Sequence, residues 1–402
     1  METYHFRKTI HKLPGKVIHH IPMPEPQIFE GHGTRSLLGQ ICKENGYNNV
    51  LLVTDKKLKS LGFDEKILKS LDDFNIKHNV FDEICSEPSV GIIDAGRKVA
   101  IEFSADCVIA LGGGSVLDTS KMIVAGMKLP HINTNTLLLK FLFVPGKTIP
   151  MISIPSTAGT GAEVTVGAVV THKNGTKGST VIVGLNVTHV VLDSELTIHA
   201  PKNVSAACGI DALSHCVEGT VSDVDTDEAQ DNYSLEGVKL IFQNLPKVLE
   251  NPNNQEARLA MCRAALYGGY AINNQLAGYV HAFAHSIGAK YHIPHGQAIS
   301  LMILPVLEYQ KAACLKKYAE IARYCNFSDK NTDDNTAANN LLHAISDLLH
   351  FCELDNIDLP VRKEDYAELT KLIAADSVNY SAIMTFSNAD IENVLRKVTS
   401  NL

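Results

Sequence analysis

The residues best suited to chemistry lie in two short stretches. Val280 to Gly296, VHAFAHSIGAKYHIPHG, carries His281, His285, His292 and His295 among small and apolar neighbours, in a chain with 17 histidines in 402 residues. A solvated histidine-rich tract would be polar, and this one is not. If residues 278–290 are helical, His281 and His285 lie four apart and share a face. His295 follows the break at Pro294 and opens the next helix, while His292 falls in the loop and reads as a surface residue. Upstream, GIDALSHCVEG (209–219) places Asp211 and His215 four apart on a second apolar helix. A carboxylate among Ile210, Ala212, Leu213, Cys216 and Val217 needs a partner. One carboxylate with two or three imidazoles is a borderline N/O donor set, suited to Fe²⁺, Zn²⁺, Ni²⁺ or Co²⁺. A lone histidine on an apolar face is ordinarily a satisfied core residue, and His215 paired with Asp211 has that alternative. Two such pairs with a further histidine nearby favour a metal. HAFAH is not the zinc-protease pattern H-E-x-x-H, because Ala282 stands where the catalytic glutamate would be, so the simplest hydrolase reading is excluded.

A second kind of chemistry resides in glycines. LGGGSVLDTSK (111–121) leaves an apolar run and opens a helical one. Glycines admit close backbone approach, and the amides of a helix N-terminus favour an anion, so Gly112, Gly113, Gly114 and Ser115 form a candidate pyrophosphate cradle. The alternative is a tight β–α turn without a ligand. The ordinary G-x-G-x-x-G fingerprint fails, since Leu117 occupies the third glycine position and no acid follows at the usual distance. Asp55 precedes the glycines, at the end of NNVLLVTD (48–55). It reads equally as a ribose acceptor in another layout or as a helix N-cap. PSTAGTGAE (155–163) adds a second turn rich in glycine and hydroxyls.

These loops must be positioned by the elements around them. NNVLLVTD, ADCVIALGGGS (105–115), TIPMISIPST (148–157) and THVVLD (188–193) read as buried strands, with helical segments at 89–103 and 115–127 between them. That alternation predicts a parallel sheet covered on both faces, with ligand loops at the C-terminal strand ends. EVTVGAVVTHKNGTKGSTVIVG (163–184) reads as a β-hairpin turning at KNGTKG. Beyond residue 200 strand signals fade and helical periodicity dominates, as in 226–249, 339–352 and 389–398. The tract 330–340 reads as a polar loop and helix cap.

Composition narrows the class. The net charge of −8 argues against nucleic acid or an anionic membrane as the main partner. Nine cysteines, an odd number without a C-x-x-C, suggest a reducing compartment with no disulfide framework. No signal-peptide core and no apolar run of membrane-spanning length stands out, so a cytoplasmic protein is expected.

In order along the chain, these segments resemble the iron-containing (group III) alcohol dehydrogenases. LGGGSVLDTSK is similar to the family's G-G-G-S-x-x-D-x-x-K loop, PSTAGTGAEVT (155–165) to its P-T-T-x-G-T-G-S-E-x-T segment, and DSELT (193–197) to its D-P-x-L-T turn. GIDALSHCVEG and residues 278–296 resemble its two metal-binding signatures. The match covers most of the chain. It implies an α/β dinucleotide-binding domain over 1–199 followed by an all-α metal-binding catalytic domain over 200–402, the dehydroquinate synthase-like fold. It implies Asp211, His215, His281 and His295 as metal ligands, with Fe²⁺ expected and Zn²⁺ or another divalent ion as the alternative. His285 then falls on a further active-site histidine outside the ligand set, a candidate for relaying the hydroxyl proton. The implied cofactor is NAD rather than NADP, held by Asp55, Gly112, Gly113, Gly114, Ser115, Asp118, Thr157, Thr160 and Lys177. The implied reaction moves a hydride between NAD(H) and a small alcohol or aldehyde whose oxygen is bound to Fe²⁺. The alternatives on the same scaffold are a hydroxyacid–oxoacid transhydrogenase and an NAD-using metal-dependent lyase or synthase. A homodimer formed through the N-terminal strand is also implied. The chain departs from the pattern where VNYSAIMTFSNAD (378–390) replaces the family's C-terminal Asn-Pro-Arg loop.

Overall fold

The computed structural model describes residues 25–84, 88–138, 141–171, 177–224, 228–355 and 361–399. The chain separates into two compact units, one of residues 22–200 with 253–269 and one containing 201–252 and 270–402. The expected division at residue 200 therefore needs a correction. Residues 253–269 belong with the α/β unit rather than with the helices around them in sequence.

The α/β unit is built on a six-stranded sheet: β1 (Gln27–Gly31), β2 (Asn49–Asp55), β3 (Lys77–Ile84), β4 (Cys107–Gly112), β6 (Met151–Pro155) and β9 (Val187–Asp193). The spatial order is β1-β9-β6-β4-β2-β3, and every neighbouring pair is parallel. The central strands β4 and β6 are buried along their whole length. This is why they read as unbroken apolar runs, each buried Val, Ile or Leu contributing about 1.5–3 kcal/mol. The edge strand β3 mixes exposed and half-buried residues, with only Phe81 and Ile84 buried, so KHNVFDEI gave no such run. The helices are α1 (Leu38–Glu44), α2 (Lys56–Ser60), α3 (Glu65–Asp73), α4 (Val90–Glu102), α5 (Gly114–Lys128) and α6 (Thr134–Leu137).

From β2 the chain winds outward to β3, whereas from β4 it winds the other way, through β6 to β9. The direction of winding thus reverses between β2 and β4, the topological switch point at which open α/β sheets bind ligands beyond the carboxyl ends of their strands. Asp55 and Gly112 end these two strands.

A second sheet has the order β5-β8-β7, formed by β5 (Phe141–Phe143), β7 (Gly167–Thr171) and β8 (Lys177–Val183). β7 and β8 pair antiparallel, with Thr171 opposite Lys177. Residues 173–176 of the expected turn KNGTKG (173–178) lie outside the described residues, and the parallel strand β5 was not expected. Helix α9 (Gln255–Gln275) contributes its first part to this unit. Gly161 marks the contact: its φ is +62°, and a Cβ there would sit 2.5 Å from the carbonyl oxygen of Ala265 and from the backbone of Gly269. Only glycine permits both the left-handed conformation and that approach.

The helical unit comprises α7 (Lys202–Thr220), α8 (Glu228–Glu250), the end of α9, α10 (Tyr279–Tyr291), α11 (His295–Tyr324), α12 (Asp334–Phe351), α13 (Tyr366–Asp376) and α14 (Asn388–Thr399). α11 is its axis and packs against α7, α10, α12 and α14. By length and apolarity α11 would suffice to cross a membrane, a stretch the sequence reading passed over, and half of its apolar window is buried within the protein. Asp333 caps α12 by accepting from the Thr336 amide at 3.0 Å, which starts that helix before the expected 339. None of the eight described cysteines is joined in a disulfide, and six of them are buried.

Candidate metal centre and cofactor edge

Helices α7, α10 and α11 bring the sequence-identified residues together. α7 carries Asp211 and, one turn on, His215. α10 carries His281 and His285. Pro294 caps α11, so His295 is its first residue. The three imidazole Nε2 atoms of His295, His281 and His215 lie 3.3, 3.7 and 3.9 Å from one atom, Asp211 Oδ1. Asp211, His281 and His295 offer ligand atoms that all lie within 4.8 Å of one another. His215 stands slightly further round, its ring stacked on His281 at 4.5 Å.

The arrangement has polar atoms in need of a partner. Asp211 Oδ1 and His281 Nε2 are buried and make no hydrogen bond, although a buried carboxylate oxygen or ring nitrogen left unsatisfied costs about 1–3 kcal/mol or more. Burial pushes the Asp211 carboxyl up, but the imidazoles of His215 and His295 outweigh it and hold it well below the usual carboxylate range. Burial likewise lowers His281, but the Glu218 and Asp211 carboxylates outweigh it and raise it to about 10. A site that imposes such a preference for positive charge on a ring nitrogen suits a cation at the same point. The donor set of one carboxylate and two or three imidazoles fits a divalent transition metal. The side chains of Asp211, His215 and His281 are at most 6% exposed, whereas that of His295 is 37% exposed, so the cluster has one open side.

Sequence reasoning missed Glu218. Its Oε2 bonds His281 Nδ1, and its Oε1 accepts from the Val280 amide at 2.7 Å. It thereby fixes which ring nitrogen of His281 faces Asp211, the ordinary task of a carboxylate behind a metal-binding histidine. The signal was available, since Glu218 lies seven residues after Asp211 and so on the same face of α7. Gly278 makes room for it: a Cβ there would lie 2.8 Å from Glu218 Oε1.

His285 stands beside the cluster, its ring 5.2 Å from that of His295 and 5.7 Å from that of His281. Its Nδ1 faces Tyr380 Oη at 2.8 Å and Asp376 Oδ2 at 3.3 Å. Burial lowers its pKa, with Asp376 opposing. His292 is exposed and ends α10 in a left-handed conformation, as befits the expected surface position.

At the sheet edge, Gly113 is the N-cap of α5 and no side chain caps that helix, which leaves its first amides oriented for an anion. A Cβ on Gly113 would lie 3.5 Å from Thr157 Oγ1 and one on Gly114 would lie 3.3 Å from Thr160 Oγ1. The hydroxyl turn thus faces the glycine turn, with Ser115 in the first turn of the helix. Asp55 caps α2, its Oδ1 accepting from the Leu58 amide at 2.8 Å. Asp118 braces the unit: Oδ1 meets the buried Lys121 Nζ at 2.9 Å and Oδ2 accepts from the Val169 amide at 2.9 Å. The sequence reading assigned it to the cofactor and did not anticipate this bracing. Lys177 opens β8, and its side chain is outside the described residues. Glu163, also unassigned, is buried beside these loops, and desolvation raises its pKa to about 7 despite Lys121 nearby.

A switch-point sheet with a glycine-opened helix and a helical bundle with a histidine–carboxylate cluster define the general class, an α/β dinucleotide-type unit joined to an α-helical metal-type unit. Comparison with known proteins makes it particular. Residues 25–194 match the family model described as iron-containing alcohol dehydrogenase, and residues 205–399 match the C-terminal model of the same family. The chain is similar to the 1,3-propanediol dehydrogenase of Citrobacter freundii, 31% identical over 375 residues, which cover 92% of this chain and 96% of that protein. Among solved structures it resembles a 1,3-propanediol oxidoreductase (TM-score 0.88, 28% identity, 94% and 99% of the two chains). It also resembles the sulfoacetaldehyde reductase of Bifidobacterium kashiwanohense in complex with NAD⁺ (TM-score 0.86, 26% identity, 95% and 99%). The chain spans 40% of the length of the bifunctional aldehyde-alcohol dehydrogenase AdhE of Escherichia coli, to which it is 30% identical over 358 residues. This protein belongs to the iron-containing alcohol dehydrogenase family.

Proposed function

We propose that the protein is an NAD-dependent, Fe²⁺-using oxidoreductase that interconverts a small alcohol and its aldehyde. The observation that carries this reading is the convergence of three imidazole nitrogens on the unsatisfied Oδ1 of Asp211. Asp211, His281 and His295 would hold the metal, with His215 completing the set. The chemistry a divalent metal supplies when bound there is Lewis acidity, which lowers the cost of removing a hydroxyl proton. Glu218 keeps His281 in the required orientation. His285 takes the hydroxyl proton in the oxidative direction and returns it in reduction, a positioned proton transfer worth about 10²–10⁴-fold. The side chains of Asp211, His215 and His281 are shielded from water, which strengthens every electrostatic contact among them.

At the switch point, Gly112, Gly113, Gly114 and Ser115 would hold the cofactor diphosphate against the α5 N-terminus, with Thr157, Thr160 and Lys177 alongside. Asp55 would accept from the adenosine ribose through Oδ2, the oxygen not engaged in capping. The nicotinamide supplies hydride acceptance and donation. NAD⁺ in the sulfoacetaldehyde reductase, a structure of the same fold, supports this choice of cofactor.

The test is a screen of small alcohols, diols, hydroxyacids and aldehydes against NAD(H), after anaerobic loading with Fe²⁺. The expected result is net NADH formation from a simple alcohol. Turnover only with an added carbonyl acceptor, the nicotinamide remaining bound, would replace the reading with a transhydrogenase. Turnover with no net change in NADH would indicate a lyase or synthase.

A further inference from the structure

Where α13 ends, the segment 376–381 faces α10, and its side chains form a chain of hydrogen bonds onto one nitrogen of His285. Tyr380 Oη lies 2.8 Å from His285 Nδ1 and 3.2 Å from Asp376 Oδ2, and the same Oδ2 is 3.3 Å from Nδ1. The phenol has one hydrogen and the carboxylate none. Burial first, then the Asp376 charge, hold the Tyr380 hydroxyl well above its ordinary pKa, so it remains a donor. If the phenol donated to a bare Nδ1, Asp376 would face lone pairs on both the phenol oxygen and the ring nitrogen. If instead Nδ1–H is shared between Tyr380 Oη and Asp376 Oδ2 and Tyr380 donates to Asp376, the two hydrogens serve all three contacts and no two bare acceptors face each other.

The neighbouring residue keeps this segment in place. Ser381 Oγ donates to Asp223 Oδ1 at 2.5 Å and accepts from the Asp223 amide at 3.1 Å, and its own amide donates to the Ala277 carbonyl at 3.2 Å. A second backbone bond joins Ile383 N to Val221 O at 3.3 Å. Tyr380 is therefore anchored both to the turn after α7 and to the stretch before α10.

We propose that Asp376 and Tyr380 are positioning residues that hold His285 in its Nδ1–H tautomer, leaving the lone pair on Nε2. Its catalytic meaning rests on the reading of His285 as the proton acceptor, because only a bare Nε2 can receive a proton while Nδ1 is engaged. The logic parallels an aspartate behind a catalytic histidine, where replacement by asparagine leaves the geometry but presents the wrong tautomer.

The test is long-range ¹H–¹⁵N correlation on ¹⁵N-histidine-labelled protein, metal-free and Zn²⁺-loaded, with the His285 signals identified by their loss in His285→Gln. Wild type should show a protonated Nδ1 and a bare Nε2. In Asp376→Asn the new amide donates to the phenol, the phenol donates to Nδ1, and the tautomer inverts. With the best alcohol from the substrate screen, kcat should then fall by about 10²–10⁴-fold, with KM and metal content unchanged, and Asp376→Glu should recover part of the loss. Tyr380→Phe removes one oxygen and should shift the Nδ1 resonance without inverting the tautomer. A bare Nδ1 in wild type, or an Nδ1 resonance unmoved in Tyr380→Phe, overturns the inference and leaves the relay reading standing. Wild-type turnover in His285→Gln overturns the relay reading instead, whichever tautomer is seen.

Discussion

The proposed cofactor edge and the histidine cluster offer their chemistry through different parts of the chain. At the edge the groups on offer are mainly backbone amides, small turns and hydroxyls, and two of its carboxylates are engaged inward: Asp118 binds Lys121 and Val169, and Glu163 is buried. In the cluster the working groups are side chains with polar atoms left unsatisfied inside an apolar bundle. The first kind of site is sensitive to shape, because any Cβ in the wrong place fills it. The second is sensitive to chemical identity, because removing one donor takes away a ligand atom that a side chain of similar shape does not replace.

The largest effects should therefore come from the cluster. His281→Ala is expected to abolish metal binding and reduce turnover by more than about 10³-fold, with the helical content intact by circular dichroism. Glu218→Gln should be graded, weakening metal affinity by about 10–100-fold, because it loosens His281 without removing a ligand. Metal titration of both variants measures the ratio. Equal losses would mean that Glu218 acts as a ligand itself, and the contrast between holding and orienting would disappear.

A shape effect of comparable consequence belongs to the α/β unit. Gly161→Ala puts a Cβ 2.5 Å from backbone atoms at a φ of +62°, a combination expected to cost about 3 kcal/mol. Denaturant unfolding should show the loss. Stability unchanged within error would mean that the turn relaxes freely, and the edge would lose its claim to be shape-limited.

Glu163 gives a pH-dependent test of the same region. Burial raises its pKa from 4.5 to about 7 in the folded protein, so folding favours the protonated form. Its contribution is full below about pH 4.5 and is lost as pH rises through about 7. At pH 8 the ionised carboxylate should cost up to about 3 kcal/mol, at 1.36 kcal/mol for each pKa unit. Glu163→Gln should stabilise the protein relative to wild type at pH 8 and make little difference at pH 4. The same stability difference at both values would show that this carboxyl does not change charge there.

The smallest effect expected separates two roles of Asp55. Asparagine caps a helix about as well as aspartate, so Asp55→Asn should leave the melting temperature within about 1 °C while narrowing the preference for NADH over NADPH by about tenfold. A wild-type enzyme with higher kcat/KM for NADPH would refute the ribose role and leave capping alone.

Much of this was legible from residue types and spacing. The strands β2, β4, β6 and β9 are apolar because they are covered on both faces, and each of Asp211, His215, His281, His285 and His295 was visible as an i, i+4 partner or as the residue after a proline. The edge strands β1 and β3 were not, because a strand paired on one side needs no continuous apolar run. Glu218 escaped notice although its spacing from Asp211 was regular, because a glutamate near a helix end ordinarily reads as solvated.

The local sequence determined which residues would stand on which helix face and that a glycine turn would open α5, since periodicity and backbone freedom are properties of neighbouring residues. Only the packing of α7, α10 and α11 decided that three imidazoles would meet at Asp211 Oδ1. Only tertiary contacts decided that residues 253–269 would join the α/β unit, and that a tyrosine 95 positions after His285 would reach its Nδ1. The reason is the range of the forces: helix pitch and turn preferences act over a few residues, whereas close packing and the need to satisfy buried polar atoms select partners without regard to their separation along the chain.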